Sequence, residues 1–471
     1  MALNTPLGGT VDVTPAAKKQ VTPASYLSNL AFVQQYLPDT YEKEFEKYGN
    51  RSISSFLRMV GAEMPTNSDL IQWSEQGRLH LKYSGVKTAA SSGDDTAQFT
   101  GLTNNAIRVG QTVVISDAKS GATASAKAIV TASGASTIDV AFYDAAGMPA
   151  WTDLGADTES LTVFVYGSEF AKGSGGMVGA VEATPEFHEN SPIILKDKYS
   201  INGSDMAQIG WVEVTTENGA SGYLWYIKSE HETRLRFEDY LETAMIEAVP
   251  AEANSGAVAI QASTGLGNKG SEGLFYAIEQ RGNTATGTIE NLSDIDAIVA
   301  RLDKQGAIEE NVLFVNRGMS FEIDNTLAKL NGFSSTGAAN AASFGLFDND
   351  SDMALNLGFS GFRRGYDFYK SDWKYLNDAS MRGDLVGGAV DGVLVPAGST
   401  TVYDQVLGKN AKRPFLHIRY RASETEDRKM KSWIVGSAGG AANSDFDGMD
   451  VHFLSERAIC TLGANNFFLF K

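Results

Sequence analysis

The sequence predicts an α+β protein organised around one long helix, with an all-β domain threaded into the chain ahead of it. Three stretches carry that expectation. Between Tyr223 and Val249 there is neither Gly nor Pro, and the run is framed by a plausible Ser221 cap and a Pro250 stop. Residues 85–170 shift to Ala, Ser, Thr, Gly and Asp with short β-rich runs, the composition of a small barrel or sandwich. Residues 256–407 place capped helical patterns beside short apolar runs, as an α/β lobe does.

The helix would be about 40 Å long at 1.5 Å per residue. In its second half Phe237, Tyr240, Leu241, Ala244, Met245, Ala248 and Val249 wind one apolar stripe along a face, so that face must be covered. Phe237, Tyr240, Leu241, Ala244, Met245 and Val249 are therefore the expected packing residues. Glu230 with Arg234, and Glu232 with Arg236, stand at i, i+4 with the acid first, which suits a solvent-facing surface. On periodicity alone an ordinary core helix is the better reading; the flanking sequence is what suggests a spine carrying separate lobes.

Composition sets the bounds on function. A chain of 471 residues with 43% hydrophobic content can bury large cores in two to four lobes, at about 100–200 residues per domain. The formal net charge of −18 and pI near 4.8 argue against a generic nucleic-acid binder, which needs clustered Lys and Arg. A single cysteine, Cys460, excludes an internal disulfide framework and a Cys-rich metal site. The N-terminus lacks an apolar h-region and no apolar run is long enough to span a bilayer, so neither secretion nor a membrane role is expected.

In chain order, residues 1–25 read as an extended arm, and 26–64 as short helices broken at Pro38 and Gly49. The GRLHLKY segment ending at Tyr83 alternates as a strand. Within 85–170, β-rich runs fall at Ala106–Val109, Thr112–Ser116, Ala126–Val130, Thr137–Tyr143 and Leu161–Tyr166. The flexible SSGDD before them and AKGSGG after them mark an inserted domain. Pro192–Val214 reads as strands leading to the long helix. Beyond it, Asn291–Gly306 is a helix with Ser293 as cap, Asp296 three residues on, and Gly306 as terminator. Val312–Val315 is a buried strand, Met319–Leu330 a helix, and Arg413–Arg421, Lys431–Val435, Asp450–Leu462 and Asn466–Phe470 are strand candidates.

Chemical motifs are weak. GLGNKG at Gly265–Gly270 satisfies G-x-G-x-x-G, yet no second strand up to Glu290 presents an acid to a ribose, so a glycine turn is the better reading. Asp348, Asp350 and Asp352 resemble the start of a calcium loop, but Met353 and Phe359 occupy the positions that need Gly and Glu. His80, His188, His231, His417 and His452 show no paired ligand spacing. No nucleophile, base and orienter can be assembled, so no enzyme, cofactor or metal is expected. FSGFRRGYDFY, with Arg363 and Arg364 among aromatics, suits an inter-subunit or core-edge contact better than base stacking in so acidic a chain.

The order of these elements, with GLFYAIEQRGN at Gly273–Asn283, VLFVNRG at Val312–Gly318 and E-R-A at Glu456–Ala458 ahead of an aromatic C-terminus, resembles the major capsid protein of tailed bacteriophages with the Hong Kong 97-type fold. The size and the inserted domain are similar to those of crAss-like and related gut or marine phages. The resemblance implies an N-terminal arm and short helices over 1–64 and an extended loop going out over 65–84 and returning over 171–219. It places the inserted β domain at 85–170, a peripheral-domain spine helix at 220–257, an axial α/β domain at 258–407 and closing strands at 408–471. It implies a homo-oligomer of hexamers and pentamers, a virion capsid assembled in the host cytoplasm, that encloses double-stranded DNA without sequence-specific binding. Portal, scaffold or decoration proteins would be its partners. No charge-rich segment precedes the arm, so a scaffold is expected as a separate protein or not at all. Some members of the family cross-link a lysine to an asparagine, but no motif carries that role to a particular Lys here. Two readings from other classes stay open: a tail or surface adhesion protein whose β domain binds glycans, and a nucleotide-dependent enzyme built on GLGNKG.

Overall fold

The computed structural model describes residues 2–4, 10–12, 62–117, 125–149, 161–181, 185–207, 214–215, 221–222, 225–259, 268–332 without 288, 290 and 307, 361–404 without 384 and 386, and 409–471 without 441. Helix and strand are mixed, and the chain divides into two compact units: Met1–Trp73 with Glu189–Lys471, and Ser74–His188. The short helices expected over 26–64 lie outside the described residues as far as 61. Their last positions belong instead to a strand, Ala62–Thr66.

The chain opens with β1 (Ala2–Asn4) and β2 (Thr10–Asp12), an antiparallel pair. Then come β3 (Ala62–Thr66) and β4 (Ile71–Glu75). The second unit contains β5 (Lys82–Thr88), β6 (Thr96–Thr100), β7 (Gln111–Asp117), β8 (Ser125–Ser133), β9 (Thr137–Phe142) and β10 (Leu161–Ser168), closed into a barrel in the order β10-β5-β6-β9-β8-β7. Alternate residues point inward, as the pleat requires, and Phe99, Val113, Ile115, Ala128, Val130, Ile138, Val140 and Val163 fill the interior. Closure removes the sheet edges that would otherwise invite pairing.

Several details of the insert differ from the sequence expectation. Its compact unit runs over Ser74–His188, wider than 85–170, and within it Arg108 Nη1 donates to Gly179 O at 2.8 Å. Ala106–Val109 is not a strand. Of the expected strand GRLHLKY only Lys82 and Tyr83 are in a strand, the start of β5, and β6 is not expected from the sequence because TAQFT offers only Ala97 and Phe99 as apolar positions. Ile129 takes the outward register on β8, between the buried Ala128 and Val130.

The chain returns through β11 (Glu186–Asn190), which pairs with β4, into β12 (Ile193–Asn202). A one-turn helix, α1 (Gly203–Met206), follows, then the two-residue pair β13 (Val214–Thr215) and β14 (Ser221–Gly222). The long helix, α2, spans Trp225–Glu247, about 34 Å. It starts four residues after Ser221, which is in β14 and is no cap.

Beyond α2 come α3 (Leu274–Arg281), β15 (Asn283–Ala285), α4 (Leu292–Gln305), β16 (Glu310–Val315) and α5 (Arg317–Gly332). Next are β17 (Gly361–Arg364), β18 (Tyr366–Asp372), α6 (Lys374–Asn377), β19 (Gly392–Pro396), and the hairpin β20 (Ser399–Asp404) with β21 (Lys409–Pro414). The chain ends with β22 (Leu416–Arg421), β23 (Lys431–Gly436), β24 (Gly448–Thr461) and β25 (Phe468–Phe470).

Two sheets result. In the five-stranded one, β24 is the axis: β12 runs along one side of it over Gly448–Arg457, while β23 and then β22 share the other side, and β3 adds parallel to β22. The second sheet has the order β15-β25-β19-β16-β18-β17 and is buried on both faces. Leu313, Val315, Leu394, Phe468 and Phe470 face α4 and α5, whereas Phe314, Val393, Val395 and Leu469 join a core that includes Met245 and Ile246 of α2 and Leu274, Phe275 and Ile278 of α3. Two covered faces are why VLFV reads as an unbroken apolar run.

The spine helix packs on a face rotated from the predicted stripe. Thr233, Phe237, Leu241 and Met245 form a buried i, i+4 row, and Asp239, Glu242 and Ile246 complete the arc. Phe237 and Leu241 meet Ile201, Met449, Val451 and Phe453 of β12 and β24, with Phe237 stacked on Phe453 at 5.9 Å between centroids. Ala244 is partly buried. Two expected packing residues are corrected: Tyr240 is 47% exposed, and Val249, 56% exposed, lies past the last helical residue. The expected acid-first ion pairs are replaced by Lys228–Glu232 at 3.6 Å, Arg234–Glu238 at 3.4 Å and Arg236–Asp197 at 3.5 Å. The helix α4 begins at Leu292 with Asn291 as cap, its N–H donating to Asp294 Oδ2 at 3.0 Å, two residues earlier than expected; Gly306 ends it in the left-handed conformation.

Candidate functional site

The described residues converge on one place, where the segment 74–188 leaves and rejoins the first unit. Asn190, at the end of β11, is buried. Its Nδ2 donates to Ile459 O at 2.7 Å and Glu272 O at 2.9 Å, and its Oδ1 accepts from Glu272 N at 2.8 Å and Ser271 Oγ at 3.0 Å. All the capacity of the amide is used, which a buried polar group requires. The outgoing leg is held beside it: Arg281 of α3, ion-paired with Glu272, lies over the Trp73 ring at 5.5 Å, and Gln72 Nε2 donates to Glu189 Oε2 at 3.2 Å.

The helix α3 supplies this anchor because it abuts the end of the spine. Gly273 N donates to Ala248 O at 2.8 Å, and a Cβ at Gly273 would stand 2.5 Å from Ala248 O and 2.7 Å from Ala248 N. Only glycine permits that approach. Leu274 and Ile278 then drop into the core one helical turn apart, so the G-L-x-x-x-I pattern is a close-approach residue followed by two anchors.

At the same end of the spine, Glu247 Oε1 accepts from Tyr375 Oη at 2.6 Å and from Arg382 Nε, and its Oε2 accepts from Arg382 Nη2 at 2.8 Å. Burial, and then the bond to Glu247, pushes the Tyr375 hydroxyl pKa up. Arg382 also donates to Gly388 O at 2.6 Å and lies 5.0 Å over the Phe275 ring. A cavity of about 300 Å³ opens here, bordered by Tyr240, Thr243, Met381 and Leu385. The cluster holds a neutral, hydrogen-bonded ion pair, which braces the spine against the α/β lobe and offers no free nucleophile or base.

The other resemblance motifs have structural roles of the same kind. In VLFVNRG, Asn316 Oδ1 accepts from Met319 N at 2.7 Å, capping α5, while Nδ2 donates to Asp391 Oδ1 at 2.9 Å. In E-R-A, Arg457 donates to Ser455 Oγ and Lys429 O, both at 2.9 Å, and Glu456 pairs with Arg428 at 2.8 Å. Glu63 of β3 joins this network through Lys429 and, at 3.5 Å, Arg457.

The chemical candidates are not brought together. Of GLGNKG, residues 265–267 lie outside the described residues; Gly270 bridges to Pro250, and the next helix starts only at Leu274, so its N-terminus does not open on the last glycine as a dinucleotide site needs. Asp348, Asp350 and Asp352 lie outside the described residues. His188 is 3.8 Å from Glu75, His417 Nδ1 is 3.2 Å from Pro414 O, and His452 stacks on Trp433 at 5.1 Å. Among the described residues no group of His, Cys, Asp and Glu could hold a metal, and no helix is long and apolar enough to cross a membrane. Arg364 pairs with Asp296 of α4, and Arg363 with Asp367 at 3.1 Å. Asn190 and Arg382 were missed by sequence reasoning, since their partners stand far away along the chain and neither sits in a recognisable motif.

No protein-family model and no curated protein matches the chain. Among solved structures, similar ones include that of Microbacterium phage Oxtober96, at 11% identity and TM-score 0.40, covering 96% of this chain and 99% of that one. The capsid structure of cyanophage P-SCSP1u is 7% identical at TM-score 0.40, with 98% of each chain covered. The capsid of a native GTA particle is 9% identical at TM-score 0.38, covering 93% of this chain and 95% of that one.

Proposed function

We propose that the chain is a major capsid protein of a tailed bacteriophage, a Hong Kong 97-type subunit that self-assembles into the icosahedral shell around double-stranded DNA. The observation that carries the reading is the root at Asn190. There, both legs of a long excursion, the closing strand β24 and the end of a single spine helix are fastened together. In this reading α2 and the five-stranded sheet form the peripheral domain, the six-stranded sheet with α4 and α5 the axial domain, β4 and β11 the legs of the extended loop, and the barrel an insertion within that loop. The motifs similar to the family's support it because each has a structural task in this chain: close approach at Gly273, a helix cap at Asn316, an ion-pair network at Glu456 and Arg457.

A subunit of this kind works through repeated heterologous contacts, which closed symmetry turns into hexamers, pentamers and a shell. A net charge of −18 lets such a wall confine DNA without adhering to it tightly. Portal, scaffold and decoration proteins are the partners this role entails, and assembly belongs in the host cytoplasm. Sedimentation of the expressed full chain tests the reading. Species far larger than the 50.4 kDa subunit are expected, alone or with a co-expressed scaffold, and a monomer under all such conditions overturns it.

A further inference from the structure

The six-stranded sheet ends at an edge that α4 overhangs. The edge strand β15 bonds to β25 through Asn283 N, Ala285 O and Gly287 N, so the backbone N–H and C=O groups of Thr284 and Thr286, both exposed, point away from the sheet. Asn283 and Ala285 are in register with Phe468 and Phe470, on the face that α4 covers. Those two rings stack at 4.9 Å. Beside them the small Ala285, Gly287 and Ala297 leave a cavity of about 470 Å³, which Ile289 and Ile298 also line. Arg301 of α4 reaches from the wall of this cavity to the edge: Nη1 donates to Thr284 O at 3.1 Å, and the guanidinium lies 5.9 Å from the centre of the Phe468 ring. Among the described residues no carboxylate pairs with Arg301, although acids outnumber bases 57 to 39 in the chain.

We propose that this edge takes up an extended peptide segment of a partner protein as a seventh strand, laid on β15 under α4, with alternate apolar side chains entering the cavity and one carboxylate side chain meeting Arg301. Main-chain pairing at Thr284 and Thr286 supplies the attachment, and the cavity selects the side chains on one face of the incoming strand. An incoming N–H takes over Thr284 O and releases the guanidinium to the carboxylate, a stronger partner than the neutral carbonyl it leaves. Asp294 lines the same cavity, and the net charge is −18, so a segment with one acid among neutral residues fits and a polyacidic one is repelled. Edge, cavity and arginine all belong to one chain, so the capsid reading is not needed.

Fluorescence polarisation of the full-length protein with a labelled Thr-Val-Thr-Glu-Thr-Val-Thr amide tests it, since Val and Glu then share one face of the strand. Saturable binding is expected, and a peptide with Gln in place of Glu should bind about tenfold more weakly. Arg301→Gln should bring the two peptides to the same weak affinity, which isolates the charge pair. Ala297→Phe, which fills the cavity from the exposed side of α4, should abolish binding of both. Putting Pro at the last Val and at the Thr before it removes a strand donor in either register, and that peptide should not bind. Arg363→Gln, on β17 at the opposite edge of the sheet, should behave as wild type. Matching thermal melts for the variants exclude misfolding. Absence of saturable binding overturns the proposal, as do equal affinities of the wild type for the Glu and Gln peptides, or unchanged binding by Ala297→Phe. Full binding of the Pro peptide would reduce the site to a pocket for a side chain and likewise overturn it. Self-association without peptide that Arg301→Gln abolishes would give the edge to a second copy of the chain, again overturning it.

Discussion

Asn190 Nδ2 donates to the backbone carbonyl of Ile459 at 2.7 Å, joining the last residue of the returning leg to the C-terminal part of the closing strand across 269 positions of sequence. The bond is buried, and the same amide holds Ser271 and Glu272, so one side chain ties the excursion, β24 and the approach to α3.

Replacing it should be costly. Asn190→Leu keeps the volume but takes the partner from two carbonyls, from the N–H groups of Ser191 and Glu272 and from the Ser271 hydroxyl, at about 1–3 kcal/mol for each that is buried, before relaxation. Chemical denaturation should show a loss of about 3 kcal/mol or more. Gln72→Ala, which removes only the exposed bond to Glu189, should stay within about 0.5 kcal/mol of wild type.

The rotated spine face makes a paired prediction. Met245 is fully buried, so Met245→Asp should cost about 3 kcal/mol or more and reduce soluble yield. Tyr240, on the predicted stripe but exposed, should tolerate Tyr240→Ser with a change of about 0.5 kcal/mol. Equal losses in the two variants would return the packing face to the sequence-derived stripe.

Local chemistry made much of this chain legible. The absence of Gly and Pro from Tyr223 to Val249 announced α2, the VLFV run announced a strand covered on both faces, and Gly306 announced the end of α4. What was not legible depended on partners remote in sequence. Tyr240 satisfies the helical period, but its angular position falls outside the arc that β12 and β24 cover. The strands β5 and β6 are held by barrel closure more than by their own apolar content. The fastening at Asn190 and the Glu247–Arg382 pair leave no local pattern, because a buried amide or ion pair is recognised only once its partners are in place.

Alkaline pH should weaken the fold in a defined window. Tyr366 Oη donates to Asp303 Oδ1 at 2.6 Å, and that bond, then burial, raises its pKa from 10.0 to about 12. The unfolded chain loses this proton first, so the stability contributed is complete below pH 10 and declines as pH rises from about 10 to about 12. Tyr375 acts in the same direction. Denaturation midpoints measured from pH 8 to pH 11.5 should fall at the alkaline end, and Tyr366→Phe should flatten that fall. An unchanged slope in the variant would exclude Tyr366 as a contributor.

The barrel should fold by itself. Residues 74–188 contain a closed sheet with its own core, and a domain of this size can bury enough surface to be stable alone. The isolated segment should give a β-type circular dichroism spectrum and a cooperative melt. An unfolded fragment would mean that the barrel depends on the rest of the chain.

Electron microscopy of the full-length protein, expressed alone and with a co-expressed scaffold, tests the capsid assignment most directly. The account predicts rings of capsomer size, tubes or closed shells built from repeated copies of the chain. Monodisperse monomers in both preparations, or fibres and compact trimers in place of shells, would contradict it.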